Sequence, residues 1–341
     1  MSAIRTAGLL LGAALPALAL DVIDLSTAPQ WFGPIRDHPA LKLSGSFGWE
    51  TPGHDREDGD ASLARSGGGA LAAGRVLRTE RTEAWLRVAA VDIRQDSTVV
   101  LPDSHATLPD RLQDVRIGGF WRTASEDGRT AFGLDAESSS PSDVPYSGSE
   151  TLAFSATAFA SLPAGERDAW ILALRYDSSR SFLPNVPLPG VSYRFDRSPD
   201  WTLTVGLPFL QGDVRLVPEV RLAATWALVD TFTTALSWTP GQDQKPFLAP
   251  WTLSLGASQI TETWLRADRP DEDQRLVYRT IRVYTAAEWQ PFPGNRLRVA
   301  GGLIPRRTVQ ETDDTGFGGS SDNRVVLGRS WFTSVGLRLA Y

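Results

Sequence analysis

In many segments of this 341-residue chain, small, polar or charged side chains alternate with apolar ones. In a β-strand, alternate residues share one face, so each such segment has an apolar face and a polar face. Opposed acids and bases on the inside of a closed sheet would hinder ions of one sign. Paired arginines and carboxylates would instead brace the wall. The pattern leaves both roles open for the thirteen polar-face candidates: Lys42, Glu50, Arg116, Arg122, Asp135, Glu137, Arg175, Asp177, Arg194, Arg282, Tyr284, Glu288 and Arg338.

Catalytic chemistry has few candidate residues. The chain has no cysteine, which excludes a thiolate nucleophile or thiolate metal site, and its three histidines are His38, His54 and His105. A serine–histidine pair on a late strand is therefore impossible. His54 lies in an acidic segment that could hold a metal, but solvated acidic loops are commoner. We therefore expect no enzyme activity, no catalytic or metal-binding residue and no cofactor.

The composition and the N-terminus bound the class of protein. A net charge of −6 argues against nucleic acid as a partner, since that requires a basic surface. Arg5 precedes an apolar run that ends in Ala17-Leu18-Ala19, which is typical of a secretory signal peptide over residues 1–19. Residues 20–40 would then form an N-terminal periplasmic tail or a small plug.

The elements that must position the polar faces are short strands joined by turns. The alternation is cleanest from Trp331 to Tyr341, where large apolar residues occupy most odd positions and mostly small or polar residues occupy the even ones. Short connections alternate with long polar ones along the chain, which is the pattern of a transmembrane β-barrel. Pro208 and Pro218 interrupt the region 208–240, so the number of strands there is ambiguous.

Aromatic residues fall where the segments end. Trp331 and Tyr341 share a face, and at ~3.3 Å per residue with ~40° tilt they are about 25 Å apart, the height of a barrel's apolar band. Tryptophans in the core of a soluble sandwich would show no such relation to connection length. The pattern therefore predicts two aromatic girdles at the membrane interfaces, formed by Trp49, Trp85, Trp121, Trp170, Trp201, Trp238, Trp251, Trp264, Trp289, Trp331 and Tyr341.

The closing segment Val335-Gly336-Leu337-Arg338-Leu339-Ala340-Tyr341 resembles the terminal strand of bacterial outer-membrane β-barrel proteins, with its final aromatic residue. That resemblance implies recognition by the barrel-assembly machinery. The stretch from Pro189 to Phe195, followed by Trp201 to Pro208, resembles a family of uncharacterised exported barrels, which implies no particular activity.

Together these features predict an all-β fold, a closed antiparallel transmembrane β-barrel over residues 41–341 in the bacterial outer membrane. We expect 12–16 strands, with 14 as the best single value, and short periplasmic turns with long extracellular loops. The thirteen polar-face residues would then line the lumen.

The expected function is a porin-like channel for passive diffusion of small hydrophilic solutes. A structural or surface-binding barrel without an open pore is the alternative. The lipid bilayer and lipopolysaccharide are the other expected partners.

Overall fold

The computed structural model describes residues 40–55, 60–180, 183–207, 209–227, 231–240, 251–269, 271, 273–312 and 324–341. The predicted signal peptide, and the predicted tail or plug up to residue 39, lie outside the described residues. Among the described residues, no helix is long and apolar enough to cross a membrane. The strands in chain order are β1 Leu41–His54, β2 Ser62–Arg78, β3 Thr82–Ser97, β4 Arg111–Ala124, β5 Ala131–Ser139, β6 Ala153–Pro163, β7 Ala169–Asp177, β8 Leu188–Ser198, β9 Trp201–Leu207, β10 Phe209–Val217, β11 Val220–Ala227, β12 Thr231–Trp238, β13 Trp251–Trp264, β14 Arg275–Phe292, β15 Asn295–Thr312, β16 Arg324–Leu327 and β17 Ser330–Ala340.

These strands form one closed antiparallel sheet. From β1 to β15, each strand pairs with its neighbours in the chain, and β1 also pairs with β17. Strands β16 and β17 both pair with β15, at different heights, so together they occupy one place in the wall. The predicted all-β barrel is confirmed. The wall is sixteen strands around, and the short strand β16 is additional to these because it shares one position in the wall with β17. The best single value of 14 was therefore too low.

The strand count was underestimated because of the prolines in the region 208–240. Pro218 lies in the two-residue connection between β10 and β11, and position 208 separates β9 from β10. Proline costs a sheet nothing at a turn, where its missing N–H has no partner to lose. Pro218 therefore separates two complete short strands, β10 and β11, and does not interrupt a longer one.

The two ends of the barrel differ. At the end that holds Ala40 and Tyr341, here called the turn end, most connections have two to six residues. The opposite end, here called the loop end, carries the longer connections 98–110, 140–152, 178–187 and 265–274. The predicted alternation fails between 208 and 250, where two loop-end connections are short and one turn-end connection has twelve residues.

Alternation fixes which side chains meet the outside. In β17, Trp331, Val335 and Leu337 are exposed, while Phe332 is buried on the inner face. The same holds around the wall, where exposed aliphatic residues form an apolar band: Leu86, Val88, Ile117, Leu134, Leu172, Leu174, Val205, Leu253, Leu255 and Val299. Because the sheet closes on itself, its backbone groups are paired without a free edge, as a lipid environment requires.

Candidate functional site in the barrel interior

All thirteen sequence-predicted lumen residues lie on the inner face of their strands. In β14, for example, Arg282, Tyr284 and Glu288 alternate with the outward Val283 and Trp289. Directly paired residues on neighbouring strands share a face, so the pairing register identifies the inner-face residues of each strand in turn. Whether these residues border a passage for solute stays a prediction.

One part of the interior is dry. The Glu50 carboxylate is buried between Arg282, at 2.7 Å, and Arg307. Arg65 and Glu262 form a second buried pair at 2.6 Å, and Arg65 also lies 4.8 Å from the Tyr278 ring centroid. These pairs join β1, β2, β13, β14 and β15 across the inside of the barrel, so they tie non-adjacent strands together.

An apolar cluster fills the same region toward the loop end. Leu63, Ile93 and Leu112 meet Leu276 from the other side of the barrel, and all four are fully buried. Leu101, from the loop 98–110, packs into this cluster. We call this packed part of the interior, with the buried ion pairs, the dry sector.

A second part of the interior is reached by water. Arg87 forms ion pairs with Asp135, at 2.6 Å, and with Glu137, at 3.0 Å, and about a quarter of its side chain is exposed. Farther around, Arg175 is paired with Asp177 at 3.0 Å and is 43% exposed. We call the exposed part of the inner face between β3 and β8, which carries these residues with Arg116 and Arg194 but not the buried Ile93, the wet sector. Its ion pairs are partly hydrated, in contrast with Glu50.

Four of the thirteen candidates are fully buried on the inner face. Glu50, Arg122, Arg282 and Tyr284 point inward, but their exposure is 1% or less. Arg122 is held by Glu83 at 2.6 Å. Neighbouring side chains cover these four residues, as expected for residues that brace the wall.

Arg65, Glu262 and Arg307 are inner-face charges that sequence reasoning did not select. Arg65 precedes Gly67-Gly68-Gly69, which has the composition of a flexible loop, yet all four residues lie in β2. A Cβ at Gly67 would lie 2.4 Å from the Asp92 carbonyl oxygen, so the glycine permits a close approach of two strands. Alternation continued through the glycines would have found Arg65.

Loops bridge the loop-end opening. The backbone N–H of Leu265 donates to the Pro141 carbonyl at 2.7 Å, and that of Ala267 donates to the Asp143 carboxylate at 2.8 Å. Arg269 donates to the Glu150 carbonyl at 2.5 Å. The loop 140–152 follows β5 and the loop 265–274 follows β13, eight places away in a sixteen-place wall. These contacts, here called the lid, therefore span the barrel's diameter.

The lid loops contain strained and partly buried residues. Tyr146, in the loop 140–152, has φ +58°, a conformation that non-glycine residues rarely adopt. Its hydroxyl donates to the Val115 carbonyl at 3.0 Å. Partial burial, together with the negative charge of Asp114 and Glu137, raises the pKa of Tyr146, so it stays a neutral donor at physiological pH.

The aromatic girdle residues divide by face. At the turn end, the outward tryptophans are Trp121, Trp170, Trp201, Trp238, Trp251 and Trp289, and Tyr341 is outward there too. Trp49 and Trp331 are exposed on the outer face toward the loop end, as is Trp226, which was not among the candidates.

Two girdle candidates point inward instead. Trp264 is 3% exposed and packs in the apolar cluster of the dry sector. Trp85 lies opposite Arg75 and Phe120 on the inner face, with the Lys42 amine 4.9 Å from its ring centroid. Position beside a turn did not reveal the face, because the alternation of each strand decides it.

The inner face has the opposite charge balance from the whole chain, whose net charge is −6. Among the described strands, sixteen cationic side chains lie on the inner face: Lys42, Arg65, Arg75, Arg78, Arg87, Arg116, Arg122, Arg175, Arg194, Arg215, Arg221, Arg282, Arg296, Arg298, Arg307 and Arg338. Eleven carboxylates accompany them: Glu50, Glu83, Asp114, Asp135, Glu137, Asp177, Asp196, Asp213, Glu262, Glu288 and Glu311. The interior of the barrel is therefore cationic.

Comparison with known proteins gives structural neighbours only. No family model matches the chain, and no curated protein matches it. An outer membrane channel from Pseudomonas putida F1 is similar over 90% of this chain and 97% of its own, with 10% identity and a TM-score of 0.39. The outer membrane protein Omp33 of Acinetobacter baumannii covers 89% and 99% with 7% identity and a TM-score of 0.35. A deletion mutant of the monoaromatic hydrocarbon channel TodX covers 90% and 91% with 9% identity and a TM-score of 0.42.

The location of the protein follows from its own surface. The sheet is closed, its outward side chains form an apolar band, and tryptophans border that band at both ends. A closed antiparallel barrel with these features is the structure of bacterial outer-membrane proteins. The chain is a β-barrel of the bacterial outer membrane.

Proposed function

We propose that this barrel is a channel for passive diffusion of small hydrophilic solutes, with its pathway along the wet sector. The observation that supports the proposal is the contrast in hydration between inner-face charges. Arg175 and Arg87 are partly exposed inside the barrel, whereas Glu50 and Arg282 are fully buried. Because water can reach the ion pairs of the wet sector, a hydrophilic solute in the same space would remain hydrated.

The proposed mechanism combines a size limit with a charge filter. The dry sector occupies part of the interior between β2–β4 and β13–β15, so a solute would be restricted to the space beside Arg87 and Arg175. Hydroxyl-bearing residues, such as Ser155 and Thr157 on the inner face of β6, would exchange hydrogen bonds with it. This mechanism requires no cofactor, no covalent step and no enzyme activity.

The test is conductance in planar lipid bilayers. Purified, refolded protein is expected to give stepwise conductance that scales with salt concentration. A matched sample that has been boiled before reconstitution should give no steps. Protein that shows heat-modifiable mobility on gels, and is therefore folded, but gives no steps at any salt or voltage would contradict the proposal.

A structural or surface-binding barrel without an open pore is the second candidate, and the lid favours it. Three hydrogen bonds across the loop end hold the loops 140–152 and 265–274 together. If the lid never opens, the loops would serve as a surface for partners. Breaking these contacts without gaining conductance would support this candidate over the channel.

Partner interactions other than solute are also proposed. The regular alternation of β17 and its terminal Tyr341 support recognition by the barrel-assembly machinery during insertion. Lipopolysaccharide is the proposed outer-leaflet partner. Arg306 lies on the outer face of β15 toward the loop end, and it is a candidate contact for the lipopolysaccharide phosphates. No nucleic acid partner is proposed.

A further inference from the structure

Basic side chains gather on one side of the inner face near the turn end. Arg296 and Arg298 on β15, Arg338 on β17, Lys42 on β1 and Arg75 on β2 all point inward. Strands β15, β17, β1 and β2 are consecutive in the wall. We call these five residues the basic arc.

The register places like charges in direct opposition. Arg296 is the paired partner of Arg338 across β15 and β17, and Arg298 is two residues farther along the same face. Like charges directly opposite each other in a sheet repel. Within the described part of these strands and of β14, Glu288 is the one inner-face carboxylate at this end, 3.3 Å from Arg296.

The arc is accessible and is organised by aromatic rings. Its members are partly exposed, and the side chain of Arg296 is 17% exposed. The Lys42 amine and the Arg75 guanidinium lie 4.9 Å and 5.8 Å from the centroid of the Trp85 ring. Arg298 lies 5.8 Å from the ring centroid of Tyr284. Rings of this kind position cations without neutralising their charge.

The geometry points to an anion-binding site formed by the basic arc, which takes small solutes that carry phosphate or carboxylate groups. Guanidinium groups match both groups through paired hydrogen bonds, and a partly dehydrated setting strengthens such bonds. The inference names the class of solute for the proposed channel and so rests on that function. Anions would be concentrated at the turn end, and the cationic inner face would favour their passage over cations.

Binding is tested separately from conduction. Titration of folded, detergent-solubilised protein with inorganic phosphate at constant ionic strength, followed by calorimetry, measures the site directly. The double variant Arg296→Gln/Arg338→Gln is expected to weaken phosphate binding about tenfold or more, since charge-assisted bonds dominate such sites. Arg111→Gln, which removes a cation from the outer face beside Asp92, is the matched control and should leave binding unchanged.

Each result of this titration decides the inference. Saturable binding of phosphate or of succinate that the double variant weakens supports it, and the two ligands distinguish a phosphate preference from a carboxylate preference. Absence of saturable binding of both anions overturns it. Binding that the double variant leaves unchanged also overturns it, because the site would then lie elsewhere.

Conduction provides the second arm. In a potassium chloride gradient across a planar bilayer, the reversal potential is expected to show that chloride is more permeant than potassium, and the double variant should reduce that preference. A cation-selective wild-type channel would overturn the inference while leaving the channel function intact. Failure of all conductance, with phosphate binding retained, would instead contradict the channel function and leave the anion site standing.

Discussion

Glu50 illustrates how single residues hold this barrel together. Its carboxylate faces Arg282 and Arg307 with no exposure to solvent, and the Arg282 guanidinium also lies 5.2 Å from the centroid of the Phe332 ring. A buried charge is costly unless it is paired, so each partner makes the burial of the others possible. Because Glu50 lies on β1 while its partners lie on β14 and β15, the pairs tie down the seam where the first and last strands meet.

Glu50→Gln is predicted to destabilise the folded barrel by about 3–5 kcal/mol, because it leaves buried guanidinium groups without a compensating charge. The measurement is urea-induced unfolding of the protein in lipid vesicles, followed by heat-modifiable gel mobility. Arg111→Gln, which breaks the exposed outer pair with Asp92, is the control and should change stability little. Equal, small effects of both variants would show that the Glu50 pairs do not brace the wall.

Trp264 and Trp331 are predicted to differ in their contact with lipid. Both adjoin loop-end connections, but Trp331 is 64% exposed on the outer face and Trp264 packs inside the barrel. In vesicles of brominated lipid, Trp331→Phe should remove a strongly quenched part of the tryptophan fluorescence. Trp264→Phe should remove an unquenched part. The reverse assignment would contradict the placement of these two faces.

At the scale of elements, the lid is the feature that decides whether the barrel opens. Its contacts are few and local: backbone N–H groups of the loop 265–274 donate to the loop 140–152, and Arg269 adds one side-chain bond. Each hydrogen bond contributes only about 0.5–1.5 kcal/mol net. Such a lid can open without unfolding the strands beneath it.

Asp143→Ala/Arg269→Ala is predicted to lengthen the open times of the channel, because it removes two contacts that hold the loops across the diameter. Single-channel recording measures this directly. The matched control is Arg180→Ala. This loop-end side chain donates hydrogen bonds within its own loop, to the carbonyls of Leu183 and Val186. Open times that are the same for the lid variant and the control would contradict a gating role for these contacts.

The elements also show what sequence patterns can establish. Strand β17 was predictable to within a residue or two, because its apolar, small and charged residues alternate without interruption. Strand β2 was not, since its three consecutive glycines have the composition of a loop while the fold uses them for close strand contact. The short strands β9 to β12 were ambiguous because prolines lie between them.

The whole molecule is an uneven barrel. Strands β14 and β15 have 18 residues each, whereas β9 to β12 have seven to nine, so the wall is high on one side and low on the other. The high wall carries the dry sector. Local sequence patterns could not predict this division of the interior, because it depends on which strands face each other once the barrel has closed. The inward direction of the thirteen candidates, by contrast, followed from alternation alone.

The orientation of the barrel can be tested with introduced cysteines, since the chain has none. Asp268→Cys places a thiol in the loop end, and Glu126→Cys places one in the turn end; both parent side chains are more than 70% exposed. If the longer loops are extracellular, an impermeant maleimide added to intact cells should label only Asp268→Cys. Labelling of Glu126→Cys alone would invert the proposed orientation.

A water-filled pathway along the wet sector is tested most directly by thiol modification at position 175 during conductance. The variants Arg175→Cys and Arg282→Cys are recorded in planar bilayers before and after addition of a charged methanethiosulfonate reagent. We expect stepwise conductance that falls on modification of Arg175→Cys and is unaffected in Arg282→Cys, because the side chain at position 175 is exposed and that at position 282 is buried. Steps that the reagent leaves unchanged in Arg175→Cys, or that it blocks only in Arg282→Cys, would contradict a pathway through the wet sector.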